Sequence, residues 1–142
     1  MVSVEKNVGQ NSIKFSFPAA LDNIDDAVAK MERFLLQKKL EEFSFEVILV
    51  SREALINAAV HGSELNPDKT VKLELRVEPD GLVIAVEDQG PGFDWQGRLK
   101  KERPGRDVSG RGLYIMKTYC DEILYNEAGN RLTLMKKIEQ KQ

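Results

Sequence analysis

The sequence predicts an α+β protein, a two-layer α/β sandwich in which a mostly antiparallel sheet is covered on one face by three helices. Three observations lead to that class. Ile13, Phe15 and Phe17 alternate with polar residues, as do Val71, Leu73, Leu75 and Val77, which is the period of a strand with one wet face. Leu21, Ile24, Val28, Met31 and Leu35 recur at steps of three and four, which makes one apolar stripe along a helix. Glu78-Pro79-Asp80-Gly81 joins two adjacent strand-like runs by a turn in which Pro presets one dihedral and Gly accepts positive φ, so strands come in antiparallel pairs.

In chain order, a first strand ends at Pro18 and the striped helix runs to about Leu40. A second helix is expected over about residues 44 to 61, with Ser44 as N-cap, Glu46 near the positive end of the dipole and Gly62 as the C-terminal stop. It is apolar around most of its circumference, so it should be central and buried. The hairpin through Gly81 leads into a strand over residues 82 to 87. Residues 89 to 109 have no periodicity and read as a long loop, followed by a helix over about residues 110 to 120. Ile123-Leu124-Tyr125 and residues 131 to 138 form a last hairpin around Gly129-Asn130. The expectation is one domain over residues 1 to 142, with a core of about 12 to 138 and no internal repeats.

Composition narrows the function. Apolar residues make up 42% of the 142, the balance of a globular chain. Net charge is -2, from 21 basic and 23 acidic residues, which gives no global reason to expect a nucleic-acid partner. Cys120 is the only cysteine, so no internal disulfide can form and a reducing, cytoplasmic compartment fits. The first residues have no apolar segment of signal-peptide length, and no run approaches the ~18 apolar residues of a membrane span.

Three stretches carry chemistry. On the second helix Glu53, Asn57 and His61 stand at i, i+4 and i+8 and form one polar stripe. A solvent-facing stripe is the plainer reading, but Asn has poor helix propensity and the rest of the helix is too apolar for the surface. A carboxylate and an amide on a buried helix suit a hard cation or a general base, while His61 reads as a cap or a packed ring. The second stretch is Asp88-Gln89-Gly90-Pro91-Gly92. Alone it is a turn; it could also present a carboxylate to an exocyclic amine such as that of adenine, with glycines letting the backbone approach a flat ring. The third is Ser109-Gly110-Arg111-Gly112-Leu113, which opens a helix whose bare N–H groups and dipole favour phosphate. Residues 89 to 112 hold six basic residues against three acidic ones, which reads either as a solvated charged loop or as a basic flap beside a phosphate site.

The ordered set E-x-x-x-N, D-x-G-x-G and G-x-G at a helix start resembles the ATP-binding fold shared by gyrase, histidine kinases and the MutL repair proteins, the GHKL superfamily. Within it, the stretches EALINAAVHG (53 to 62) and SGRGLYIMK (109 to 117) are most similar to the bacterial anti-sigma factors that are also serine/threonine protein kinases. The resemblance implies ATP or ADP and Mg²⁺ as ligands. It implies Glu53 as general base, Asn57 as the Mg²⁺ ligand, and Asp88 as acceptor from the adenine amine. Gly90 and Gly92 would pass close to the base, Gly110, Arg111 and Gly112 would bind phosphates, and Thr133 would add an adenine-side contact. It further implies a STAS-fold anti-anti-sigma substrate, a sigma factor held inactive, and a homodimer in the cytoplasm. Two alternatives stay open: a regulatory module of the same fold that binds a partner without phosphotransfer, and a sensor-kinase-like catalytic domain.

Overall fold

The computed structural model describes residues 3–7, 11–90 and 108–138. Strands β1 (Ser3–Asn7) and β2 (Ser12–Pro18) precede helix α1 (Leu21–Gln37). A 3₁₀ turn (Glu41–Phe43) leads directly into α2 (Ser44–Ile56), which continues as a π-helical segment (Asn57–Gly62). The hairpin of β3 (Thr70–Glu78) and β4 (Gly81–Glu87) follows, then α3 (Val108–Tyr119), β5 (Glu122–Tyr125) and β6 (Arg131–Lys137). The sheet order is β1-β2-β3-β4-β6-β5. Every pairing in it is antiparallel.

Register explains the core. Ile13 pairs Leu75, Leu75 pairs Ile84, and Ile84 pairs Leu134, so four strands place a large apolar side chain in one row. Phe15, Leu73, Val86 and Leu132 make the next row. These rows are buried in one cluster with Ile24, Met31, Phe34 and Leu35 of α1 and Val47, Val50 and Leu55 of α2. The helices therefore cover one face of the sheet, as the alternation requires. Helix α2 packs against both α1 and α3 and is the central helix of the layer. Lys136 of β6 pairs with Glu46 at the start of α2 and donates to the Tyr119 carbonyl at the end of α3, which ties the helix layer to the sheet.

On the opposite face the rows are charged toward β2 and β3, with Lys14 against Glu74 and Arg76 against Glu74 and Glu78. Such exposed pairs contribute little each. Val83 and Ala85 nevertheless remain buried on that face, in the middle of the sheet between β3 and β6.

Several expectations are corrected. β1 had no apolar alternation to announce it; an edge strand is held by backbone ladder bonds and needs none. Leu21 is 51% exposed, and the buried stripe of α1 begins at Ile24 and includes Ala27 and Phe34. Ser44 is not an N-cap: its backbone is already helical (φ -57°, ψ -45°) because the preceding 3₁₀ turn feeds straight into α2. α3 begins at Val108, two residues before Gly110. The loop expected over residues 89 to 109 lies mostly outside the described residues.

Ile84 is 1% exposed at the middle of the sheet. Ile84→Ala should destabilise the protein by about 2–5 kcal/mol in urea unfolding; a loss below about 1 kcal/mol would contradict the packing described here.

Candidate functional site

Helix α2 brings the three sequence stretches together. Its middle faces α3. Glu53 is only 6% exposed, and the position a Cβ would take on Gly112 lies 3.0 Å from Glu53 Oε2 and 3.4 Å from Asn57 Nδ2. Gly112 is thus a close-packing position inside α3, five residues into the helix, as well as part of the glycine motif. Asn57 is half-buried, and its Oδ1 is buried with no hydrogen-bond partner. An orphaned acceptor oxygen in that position is costly unless something binds it.

At Asn57 the helix changes from α to π geometry. The Ser63 N–H donates to the Ala58 carbonyl and the Leu65 N–H to the Ala59 carbonyl, spacings wider than the α pattern. π turns occur mostly as single insertions near functional sites. His61, within the π segment, is exposed, neither part of the site nor a packed ring. The segment ends against the end of β4. Gly62 has no positive φ, so it is not the left-handed stop the sequence suggested. Its missing side chain has another cause: a Cβ there would overlap the Asp88 carboxylate. A Cβ on Gly90 would overlap the Gly62 carbonyl in turn. Two glycines face each other because neither can carry another carbon.

Asp88 is placed by this contact. Its Oδ1 accepts from the Gly90 N–H at 2.7 Å, which leaves Oδ2 for a ligand. Burial pushes its carboxyl above the ordinary 3.8; the Gly90 N–H pulls it down, Glu87 raises it and Lys69 lowers it. The Gln89 Oε1 accepts from the Thr70 N–H at 2.7 Å and anchors the same tripeptide to β3.

Glu53, Asn57, Asp88, Gly90 and Gly112 therefore line one continuous path along α2. Gly110 and Arg111 lie in the first turns of α3. Gly92 and the basic flap fall outside the described residues. Thr133 does not join the path. It pairs with Ala85 and Leu124, and its neighbours Leu132 and Leu134 face the helices, so the pleat turns Thr133 to the opposite face. Sequence reasoning missed Gly62 as a contact residue and Asn130 altogether. The asparagine donates from Nδ2 to the Gly90 carbonyl and accepts the Asp88 N–H at its own carbonyl. No sequence signal distinguishes that asparagine from an ordinary turn residue.

The layered fold and this path are those of a nucleotide-binding ATPase domain, and the chain belongs to the family described as histidine kinase-like ATPase domain, which matches residues 17–136. Among its relatives is the anti-sigma F factor of Priestia megaterium, 31% identical over 121 residues, covering 80% of this chain and 82% of that protein. The anti-sigma F factor of Clostridium perfringens strain SM101 is 30% identical over 137 residues, covering 90% and 97%. That of Clostridium kluyveri strain ATCC 8527 is 30% identical over 136 residues, covering 90% and 94%. No helix among the described residues is long and apolar enough to cross a membrane.

Two outcomes follow. Gly62→Ala should displace Asp88 and lower nucleotide affinity by about tenfold or more, measured by calorimetric titration; unchanged affinity would remove the Gly62–Asp88 contact from the site. Because folding raises the Asp88 pKa, the folded state gains relative stability as pH falls through that raised value toward 3.8, and loses it as pH rises. Asp88→Asn should therefore raise the melting temperature of the nucleotide-free protein more at pH 7 than at pH 3.5. An equal shift at both would show that burial does not disfavour the charged carboxylate.

Proposed function

We propose that the protein is an ATP-dependent serine/threonine protein kinase that acts as an anti-sigma regulatory factor, working as one ATP-binding domain. In this reading it binds Mg·ATP and transfers the γ-phosphoryl group to a hydroxyl of a STAS-fold anti-anti-sigma partner. Otherwise it holds a sigma factor inactive, as a homodimer in the cytoplasm. The observation that carries the kinase half is the buried Glu53 one helical turn from Asn57, on the helix whose far end meets Asp88. The names of the relatives support the sigma-factor half.

Each residue has a task. Asp88 Oδ2 accepts from the adenine amine, and Gly90 keeps the backbone low beside the ring. The start of α3, with Gly110 and Arg111, receives the phosphates at the positive end of its dipole. Glu53 takes the proton of the attacking hydroxyl as the new O–P bond forms and the bond to the ADP oxygen breaks. Its burial keeps water from competing with that hydroxyl. Asn57 Oδ1, with no hydrogen-bond partner, fits a hard cation. Among the described residues no cluster of three or more His, Cys, Asp or Glu could hold a metal. Asn57 would be a protein ligand to Mg²⁺, whose part would be to neutralise charge on the transferring group.

Glu53→Gln tests the base. ATP affinity should stay within about threefold, while transfer of labelled phosphate to the cognate STAS protein falls by about 10²-fold or more. Transfer at near wild-type rate would remove Glu53 from the chemistry. ATP and sigma-factor binding by the wild-type protein, with no transfer to any STAS candidate, would leave the binding module and overturn the kinase.

A further inference from the structure

We propose that Asn130 is a positioning residue for adenine selectivity, acting through Asp88 and Gly90. This rests on the reading of Asp88 as the adenine acceptor. Asn130 holds both ends of the tripeptide 88–90. Its carbonyl accepts the Asp88 N–H at 2.9 Å, and its side-chain Nδ2 donates to the Gly90 carbonyl at 3.1 Å. Between those two bonds the Gly90 N–H closes back on Asp88 Oδ1 at 2.7 Å. The carboxylate that would read the base is therefore oriented by a loop whose two ends are both fixed to one residue of the neighbouring strand connection.

Asn130 is itself held. Its Oδ1 accepts from Asn126 Nδ2 at 2.7 Å, which commits the amide and turns Nδ2 toward Gly90. Asn126 Oδ1 in turn accepts the backbone N–H groups of Gly129, Asn130 and Arg131, with Gly129 in the left-handed region at φ 84°. The connection between β5 and β6 is thus a small rigid bracket, and its one side-chain donor aimed at the site is Asn130 Nδ2. Gly90 lies between that donor and the Gly62 carbonyl, where even a Cβ does not fit. A carboxylate must be placed within a few tenths of an ångström to distinguish an amine from its absence, and such placement comes from the groups behind it.

Asn130→Asp is the test. It keeps both backbone bonds and the acceptor for Asn126, and it replaces only the donor facing the Gly90 carbonyl with an oxygen that repels it. The probes are ATP and purine riboside triphosphate, which lacks the 6-amino group. ATP affinity should fall by about tenfold, while affinity for the analogue falls far less, so the ratio between them collapses. Equal losses for both nucleotides, or an unchanged ratio, would overturn the positioning role. If Asn130→Asp does not fold, Asn130→Ala, which retains the backbone bonds, is judged by the same ratio. Asp88→Asn separates the two layers. If the ratio survives that substitution, the adenine reading of Asp88 fails. If Asp88→Asn collapses it and the Asn130 variants do not, only the role of Asn130 fails.

Discussion

The end of α2 and the end of β4 meet with no space for a single additional carbon on either chain, since a Cβ on Gly62 would strike Asp88 and one on Gly90 would strike the Gly62 carbonyl. Much of the site depends on this approach. It brings the helix that carries Glu53 and Asn57 against the loop that carries Asp88. It also fixes the distance between the two ends of the pocket, because both ends are then parts of one helix. A similar closeness recurs at the other end, where Gly112 of α3 lies against Glu53 and Asn57. Glycine at three positions lets three segments, distant in sequence, share one narrow line of contact.

The helix makes that approach through a π segment. The π segment leaves His61 exposed and ends with Gly62 against Asp88 at the end of β4. The rest of the frame is conventional packing. Rows of large apolar residues across β2, β3, β4 and β6 bury against α1 and α2, and Lys136 joins the start of α2 and the end of α3 to β6. A rigid frame of this kind can hold polar atoms in unfavourable places. Asn57 Oδ1 is buried without a hydrogen bond, and Asp88 is buried enough that its charged form is disfavoured. Both are small costs to the fold, of a kind that nucleotide binding would offset.

Apart from β1, the main strands and helices and their order follow from the sequence alone, because alternation and three-four spacing report which face of a strand or helix meets a core. The helix expected over about residues 44 to 61, the hairpin through Gly81 and the last hairpin around Gly129-Asn130 stand where those periods place them, the helix finishing as a π segment. The three motif stretches were also readable, since each carries a residue pattern with few other uses. The resemblance made Thr133 an adenine-side contact, but it faces away from the helices, opposite to Leu132 and Leu134 on either side of it.

Other features were decided only by tertiary structure. β1 pairs through its backbone and leaves no side-chain period. Ser44 lost its cap because a 3₁₀ turn precedes it, and Gly62 gained a purpose only when Asp88 stood beside it. Asn130 became part of the site through two hydrogen bonds to residues some forty positions away. Local periodicity reports how a residue relates to its own element. Close approach, orphaned acceptors and bracing bonds between elements are properties of pairs, and they exist only once the sheet and helices have brought those pairs together.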